Sequence, residues 1–266
     1  MKVKGVTKQG SGKIKLFIIE DFSDELKSLL RKNLRSICHG ENTAKSDHKT
    51  YSYNNTVKTF LQRYSTKKPD TQKGMIGELL VHVVLTIYNR KLKTISPFLN
   101  LEESSIKKGF DIVLYEKKSK QVWIAEVKSG ESRDESASIK CASLLNEAKT
   151  DLIKRLSSTK ESIWLNAIHG VKVVAPVKNI KKIVLKYLED CRSEAQDEGS
   201  TSLGRNAVLT SVLYKNLNDK ITLSSIKSIH EKVEAEKKFN ELIIISIQKN
   251  TFSKVEEFLK SEVVTA

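Results

Sequence analysis

The order of apolar and polar positions divides the chain into segments of helical or strand character. Residues 14–19 (IKLFII) are an apolar run of strand length. Residues 21–37 place Phe22, Leu26, Leu29, Leu30, Leu34 and Ile37 on one face at helical spacing, which predicts a helix opened by Asp21 or Ser23. A polar stretch at 38–53 interrupts the pattern, and 55–64 predicts a second short helix. STKKPDTQK at 65–73 is rich in breakers and reads as a connection. It separates a basic, partly helical N-terminal region, 1–73, from a second unit, 74–266.

Residues 75–88 (MIGELLVHVVLTIY) are apolar almost all round a helical projection, which predicts a helix buried on several sides. FDIVLY at 110–115 and VWIAEVK at 122–128 alternate as strands around the polar turn EKKSKQ, so they predict an antiparallel hairpin. Ser129-Gly130 stop the second strand. A long helix follows at 135–157, with Ile139, Ala142, Leu145, Leu152, Ile153 and Leu156 at near-helical period. Beyond it the pattern predicts a strand at 171–175 ended by Pro176, a helix at 180–190 and a loop at 193–206. An ambiguous strand at 207–214, a short polar helix at 231–239, a β-branched strand at 242–247 and a helix near 251–260 complete the chain. This order of elements indicates an α/β or α+β core, with helices flanking a sheet.

Composition changes the picture in two respects. Cys38, Cys141 and Cys191 are odd in number and widely spaced, which indicates neither a disulfide framework nor a structural zinc site and suits a reducing cytoplasm. The apolar runs stop short of the ~20 residues that span a bilayer, and the N-terminus lacks a signal-peptide core, so neither secretion nor a membrane partner is expected. The net charge of +15 favours a polyanion such as nucleic acid. Residues 1–73 hold 16 Lys and Arg against 7 Asp and Glu, a net +9, and leave +6 for the rest.

Candidate chemistry concentrates in IAEVKSG, 124–130. Residues i and i+2 of a strand share a face, so Glu126 and Lys128 point the same way, about 6.5–7 Å apart along the strand. Asp111, at the start of the first hairpin strand, is expected beside them. Two converging carboxylates make a hard-oxygen set suited to Mg²⁺, with the Val127 carbonyl able to complete it. Lys128 is placed to orient or deprotonate water, or to balance charge in a phosphodiester transition state. Glu78 in GMIGELLVH offers a third acid, on the most apolar helix, and Gly74 and Gly77 leave room for another chain or a phosphate backbone to approach. Other chemistries fail on spacing. Gly10-Ser11-Gly12-Lys13 lacks the remaining residues of a phosphate loop, the five His are scattered, and G-x-S-x-G is absent. Tyr51, Tyr53, Phe60 and Tyr64 lie among basic residues and are read as packing aromatics before base-stacking ones.

Glu78, then Gly109-Phe110-Asp111, then Glu126-Val127-Lys128 and a following helix resemble the PD-(D/E)XK nuclease superfamily over residues 74–160, with Phe110 where the pattern places Pro. The resemblance implies a restriction-endonuclease-like mixed sheet. It also implies one or two Mg²⁺ ions, with Mn²⁺ as a substitute, held by Asp111, Glu126, the Val127 carbonyl and Glu78. More narrowly, the basic N-terminal half joined to GMIGELLVHVVL, KKGFDIVLY, WIAEVKSG, AVLTSVLY and LIIISI is similar to the HamA effectors of Hachiman anti-phage systems. That similarity implies a metal-dependent DNA endonuclease controlled by a partner helicase, HamB, in a hetero-complex. Glu126 and Lys128 would be the essential pair, Asp111 a metal ligand and Glu78 the further acid. The helix after the strand carries no residue that matches the pattern; Lys140 and Lys149 are weighed as phosphate contacts against ordinary solvated positions. The alternative reading is a nuclease-like but inactive DNA-binding or adaptor subunit. The partner surface is expected at the basic N-terminal region and the 100–108 or 193–206 loops.

Overall fold

A computed structural model describes residues 2–89, 91–99, 109–174, 178–197 and 201–264. The fold is mixed α/β, with a seven-stranded sheet between two helical layers. In chain order the elements are β1 (Val6–Gln9), β2 (Ile14–Ile19), α1 (Asp24–His39), α2 (Tyr53–Ser65), α3 (Pro69–Tyr88), β3 (Leu92–Thr94), β4 (Ile112–Glu116) and β5 (Gln121–Glu131). They continue as α4 (Ala137–Leu156), α5 (Glu161–Val174), α6 (Lys178–Asp197), β6 (Asn206–Tyr214), α7 (Leu223–Ala235), β7 (Glu241–Lys249) and α8 (Ser253–Val264).

The sheet order is β1-β2-β7-β6-β5-β4-β3. The inner strands β2, β7, β6 and β5 run parallel, whereas β4, β3 and β1 pair antiparallel with their neighbours. Strands covered on both faces need apolar side chains on both, and β6 and β7 are buried almost throughout. One face packs against α1, α2, α3 and α8 through residues such as Leu30, Phe60, Leu79 and Leu259. The other packs against α4, α5, α6 and α7 through Leu145, Trp164, Val184 and Ile226. Residues on both sides of position 73 share the sheet and its first core, since β2 pairs with β7 and α1 and α2 pack with α3.

The predicted strand at 171–175 is corrected: residues 171–174 are the last turn of α5, and 175 lies outside the described residues. VKVV has strand propensity, but the apolar positions Trp164, Ile168 and Val171 continue a helical stripe that the tertiary core captures. The connection at 65–73 shrinks because α3 begins at Pro69, where a missing N–H has no helical partner to lose. Helix α7 starts earlier than predicted, at Leu223, with the Thr222 side chain accepting from the Ser225 N–H as its cap. Residues 193–197 belong to α6 rather than to a loop. On α4 the buried face is Cys141, Leu145, Ala148, Leu152 and Leu156, and Ile139 is exposed.

Candidate active site

The hairpin forms in the expected register, with Ile112 opposite Ala125 and Val113 opposite Ile124. β4 begins there while β5 runs on to Glu131, so among the described residues no strand pairs with the β4-side edge of β5 from Glu126 onward. Asp111, one residue before β4, fills the first gap: its Oδ2 accepts the Val127 N–H at 2.8 Å. The N–H and C=O of one strand residue share an edge, so the Val127 carbonyl faces the same opening. Alternation puts Glu126 and Lys128 on the α4 face, and Trp123 in the opposite core.

Helix α4 returns antiparallel over that face and supplies residues that the sequence reading missed. Lys128 Nζ pairs with Asp151 and lies 3.5 Å from both Glu147 and Glu126. Arg155 Nη1 lies 3.0 Å from Glu126 Oε2 and 3.4 Å from Asp111 Oδ1, and donates to the Gly109 carbonyl at 2.9 Å. The match is one of repeat lengths. Two strand residues advance about 6.6 Å and four helical residues about 6 Å, so 126 and 128 on the strand face 155 and 151 on the helix. The signal was present as Glu147, Asp151 and Arg155 at i, i+4 spacing, but only the packed helix shows that this stripe faces β5. Lys140 and Lys149, weighed in its place, pair with Glu135 at 3.7 Å and Glu236 at 2.7 Å.

Glu126 is 1% exposed, and burial followed by the Asp111 carboxylate pushes its pKa up to about 8, against the opposing pull of Arg155 and Lys128. Its Oε2 accepts no hydrogen bond: the Arg155 nitrogen is close, but no N–H is aimed at it. Burial draws the Lys128 pKa down, yet the Asp151 hydrogen bond and the Glu126 and Glu147 charges outweigh it, so the net shift is upward and the ammonium is held charged.

Glu78 lies on α3, in the layer covering the other face of the sheet, with His82 Nε2 at 3.8 Å from its Oε1. His82 is buried, and its ring meets Phe98 edge-on at 5.6 Å. Gly77 does permit a close approach, but to β5 rather than to a phosphate: a Cβ there would lie 1.9 Å from Ser129 Oγ. Gly74 has open space around it. Phe60 and Tyr64 are buried and stacked at 5.8 Å, so these two aromatics are packing residues. A cavity of about 360 Å³ between α1, α3 and β3 shares no lining residue with Asp111, Glu126 or Lys128. Residues 100–108 lie outside the described residues.

The chemistry of the donor set suits a hard divalent cation: two carboxylates and a backbone carbonyl converge at a strand end, and one buried carboxylate oxygen lacks a hydrogen bond. Among the described residues no group of three or more His, Cys, Asp or Glu is gathered as a metal cluster, so the fit rests on the two carboxylates and the backbone.

A mixed sheet between helical layers, with an acid-lysine strand end opened by a shortened neighbour, defines a mixed α/β protein with a polar site at the edge of a hairpin. The HamA family model matches residues 3–263, and the chain belongs to the HamA family. That membership suggests a component of a Hachiman defence system. No curated protein matches the chain. Among the described residues no helix is long and apolar enough to cross a membrane.

Proposed function

We propose that the chain is the nuclease effector of a Hachiman anti-phage system: a Mg²⁺-dependent deoxyribonuclease of the PD-(D/E)XK type, restriction-endonuclease-like in its core and controlled by a HamB-like partner helicase. The observation that carries this reading is the convergence of Asp111, Glu126 and Lys128 at the open edge of β5. Asp111, Glu126 and the Val127 carbonyl would hold the ion, with Glu78 the further acid that the family pattern brings. When bound, the ion polarises a phosphate oxygen and lowers the pKa of a water.

The chain's own residues prepare the rest. The hydrogen bond from the Val127 N–H fixes the Asp111 carboxylate through Oδ2, while its Oδ1 accepts from Arg155 Nη1 at 3.4 Å. Lys128, kept charged by three carboxylates, suits stabilisation of negative charge growing on the phosphoryl oxygens better than proton abstraction, which would need a lowered pKa. The net charge of +15 draws a polyanion toward the site, and supports DNA as the substrate.

The direct test is degradation of plasmid DNA with Mg²⁺ by the chain alone and with its helicase. Glu126→Gln and Lys128→Ala are each expected to slow cleavage by about a hundredfold or more while the fold persists, and chelation to stop it. Wild-type rates in both variants would remove the assigned site. The second reading, an inactive DNA-binding or adaptor subunit, draws on the absence of a three-acid cluster among the described residues. It predicts salt-sensitive DNA binding and no cleavage under any metal, even with the partner present.

A further inference from the structure

The carboxylate pair already has a cation. A single nitrogen, Arg155 Nη1, is the common neighbour of three oxygens from three residues: Gly109 O at 2.9 Å, Glu126 Oε2 at 3.0 Å and Asp111 Oδ1 at 3.4 Å. We propose that Arg155 is an internal counter-ion standing where the divalent cation binds, so that cation uptake by Asp111 and Glu126 is an exchange with its guanidinium. The inference rests on the nuclease reading above.

Three features make the guanidinium replaceable. First, its contacts to the carboxylates are not the two parallel hydrogen bonds of a fork against a carboxylate, which are the strong form of this pair. One nitrogen serves both acids, Glu126 Oε2 receives no aligned N–H, and the shortest contact goes to an uncharged carbonyl. Second, Arg155 lies in the last turn of α4, with its side chain 30% exposed, so a long stem can swing outward without disturbing buried Leu152 and Leu156. Third, among the described residues Lys128, which also lies 3.5 Å from Glu126, is engaged by Asp151 and Glu147 and so is not free to replace the guanidinium. One guanidinium charge faces a pair of acids, and a dication carries enough charge to bind both in their ionised form. Since a guanidinium stays protonated, it can leave only by moving.

The exchange is distinct from a purely structural role. A structural clamp, once cut, weakens the fold and leaves cation affinity unchanged. A counter-ion, once removed, weakens the metal-free protein and strengthens cation binding, because the cation no longer competes with the guanidinium.

The experiment titrates the full chain with Mn²⁺, by calorimetry and by the electron paramagnetic resonance signal of the free ion, and follows thermal unfolding with and without Mn²⁺. Wild type is compared with Arg155→Met, which keeps much of the apolar stem, and Arg155→Lys, which shortens the reach. Arg155→Met is expected to bind Mn²⁺ about tenfold tighter than wild type, a difference of ~1.4 kcal/mol. It should also melt lower without metal and gain more from Mn²⁺ than wild type gains. Arg155→Lys is expected between the two, and decides the matter if the Met variant fails to fold. Equal or weaker Mn²⁺ affinity in the variants, with wild type binding normally, overturns the exchange alone. Failure of wild type and variants alike to bind Mn²⁺ overturns the nuclease reading together with the inference.

Discussion

Lys15 shows how far a single buried charge departs from expectation at the level of the residue. It lies on β2, 7% exposed, with its Nζ donating to the Gly12 carbonyl at 2.6 Å. Burial first, then Lys8 and Lys91, lower its pKa to about 8, against a raising influence from Glu116. Because the folded value lies below the unfolded one, the unfolded chain binds more protons between them, and this group's penalty on stability shrinks as pH rises from about 8 toward 10.5. Lys15→Met is therefore expected to raise the melting temperature over wild type by more at pH 7 than at pH 9.5; an equal gain at both values would show that charge is not the cause. Periodicity alone gives 14–19 as an apolar strand and does not show that Lys15 is buried, since burial depends on what covers the strand. Asp111, Glu126 and Lys128 were legible because strand alternation and a short hairpin suffice to bring them together. Arg155 and Asp151 were not, because their role requires knowing which face of α4 meets the sheet.

At the scale of elements, α3 and α4 approach β5 from opposite faces, and each approach depends on side-chain size. On the α3 face Gly77 stands where any Cβ would collide with Ser129 Oγ. Gly77→Ala is expected to destabilise the fold by about 1–3 kcal/mol despite the better helix propensity of Ala, measured as a shift in the urea midpoint. A neutral or stabilising result would show that Ser129 turns aside freely. On the α4 face Gly130 gives Leu144 close passage, and the charged stripe begins three residues further along the helix. The hairpin, the long helix after it and the strands at 207–214 and 242–247 could be read from periodicity, since each makes its pattern locally. The VKVV segment could not, because β-branched residues at the end of an apolar helix carry the same local signal as a buried strand, and only packing against the second core separates the two. The register of β2 beside β7 was equally out of reach, being a contact between distant parts of the chain.

On the scale of the whole molecule, the excess of basic residues acts through the field rather than through any one contact. Affinity for duplex DNA is expected to fall linearly with salt on logarithmic axes, with a slope that counts the phosphates neutralised. A flat salt response would exclude the backbone as the principal contact. The sheet joins the two ends of the chain, for β2 at residues 14–19 lies between β1 and the late strand β7 at 241–249. This topology has a bearing on synthesis. The carboxylates, lysine and arginine of the site all leave the ribosome by residue 155, but the strand that supports β5 on its far side does not appear until 206–214, and β7 later still. Until then the one described strand paired with β5 is the short β4, and the first core lacks Val208, Val212, Ile245 and Ile247. A nascent chain that has not reached residue 206 thus carries every residue of the site without the frame that aligns them, and under the proposed nuclease reading the site is assembled only once β6 and β7 have been made.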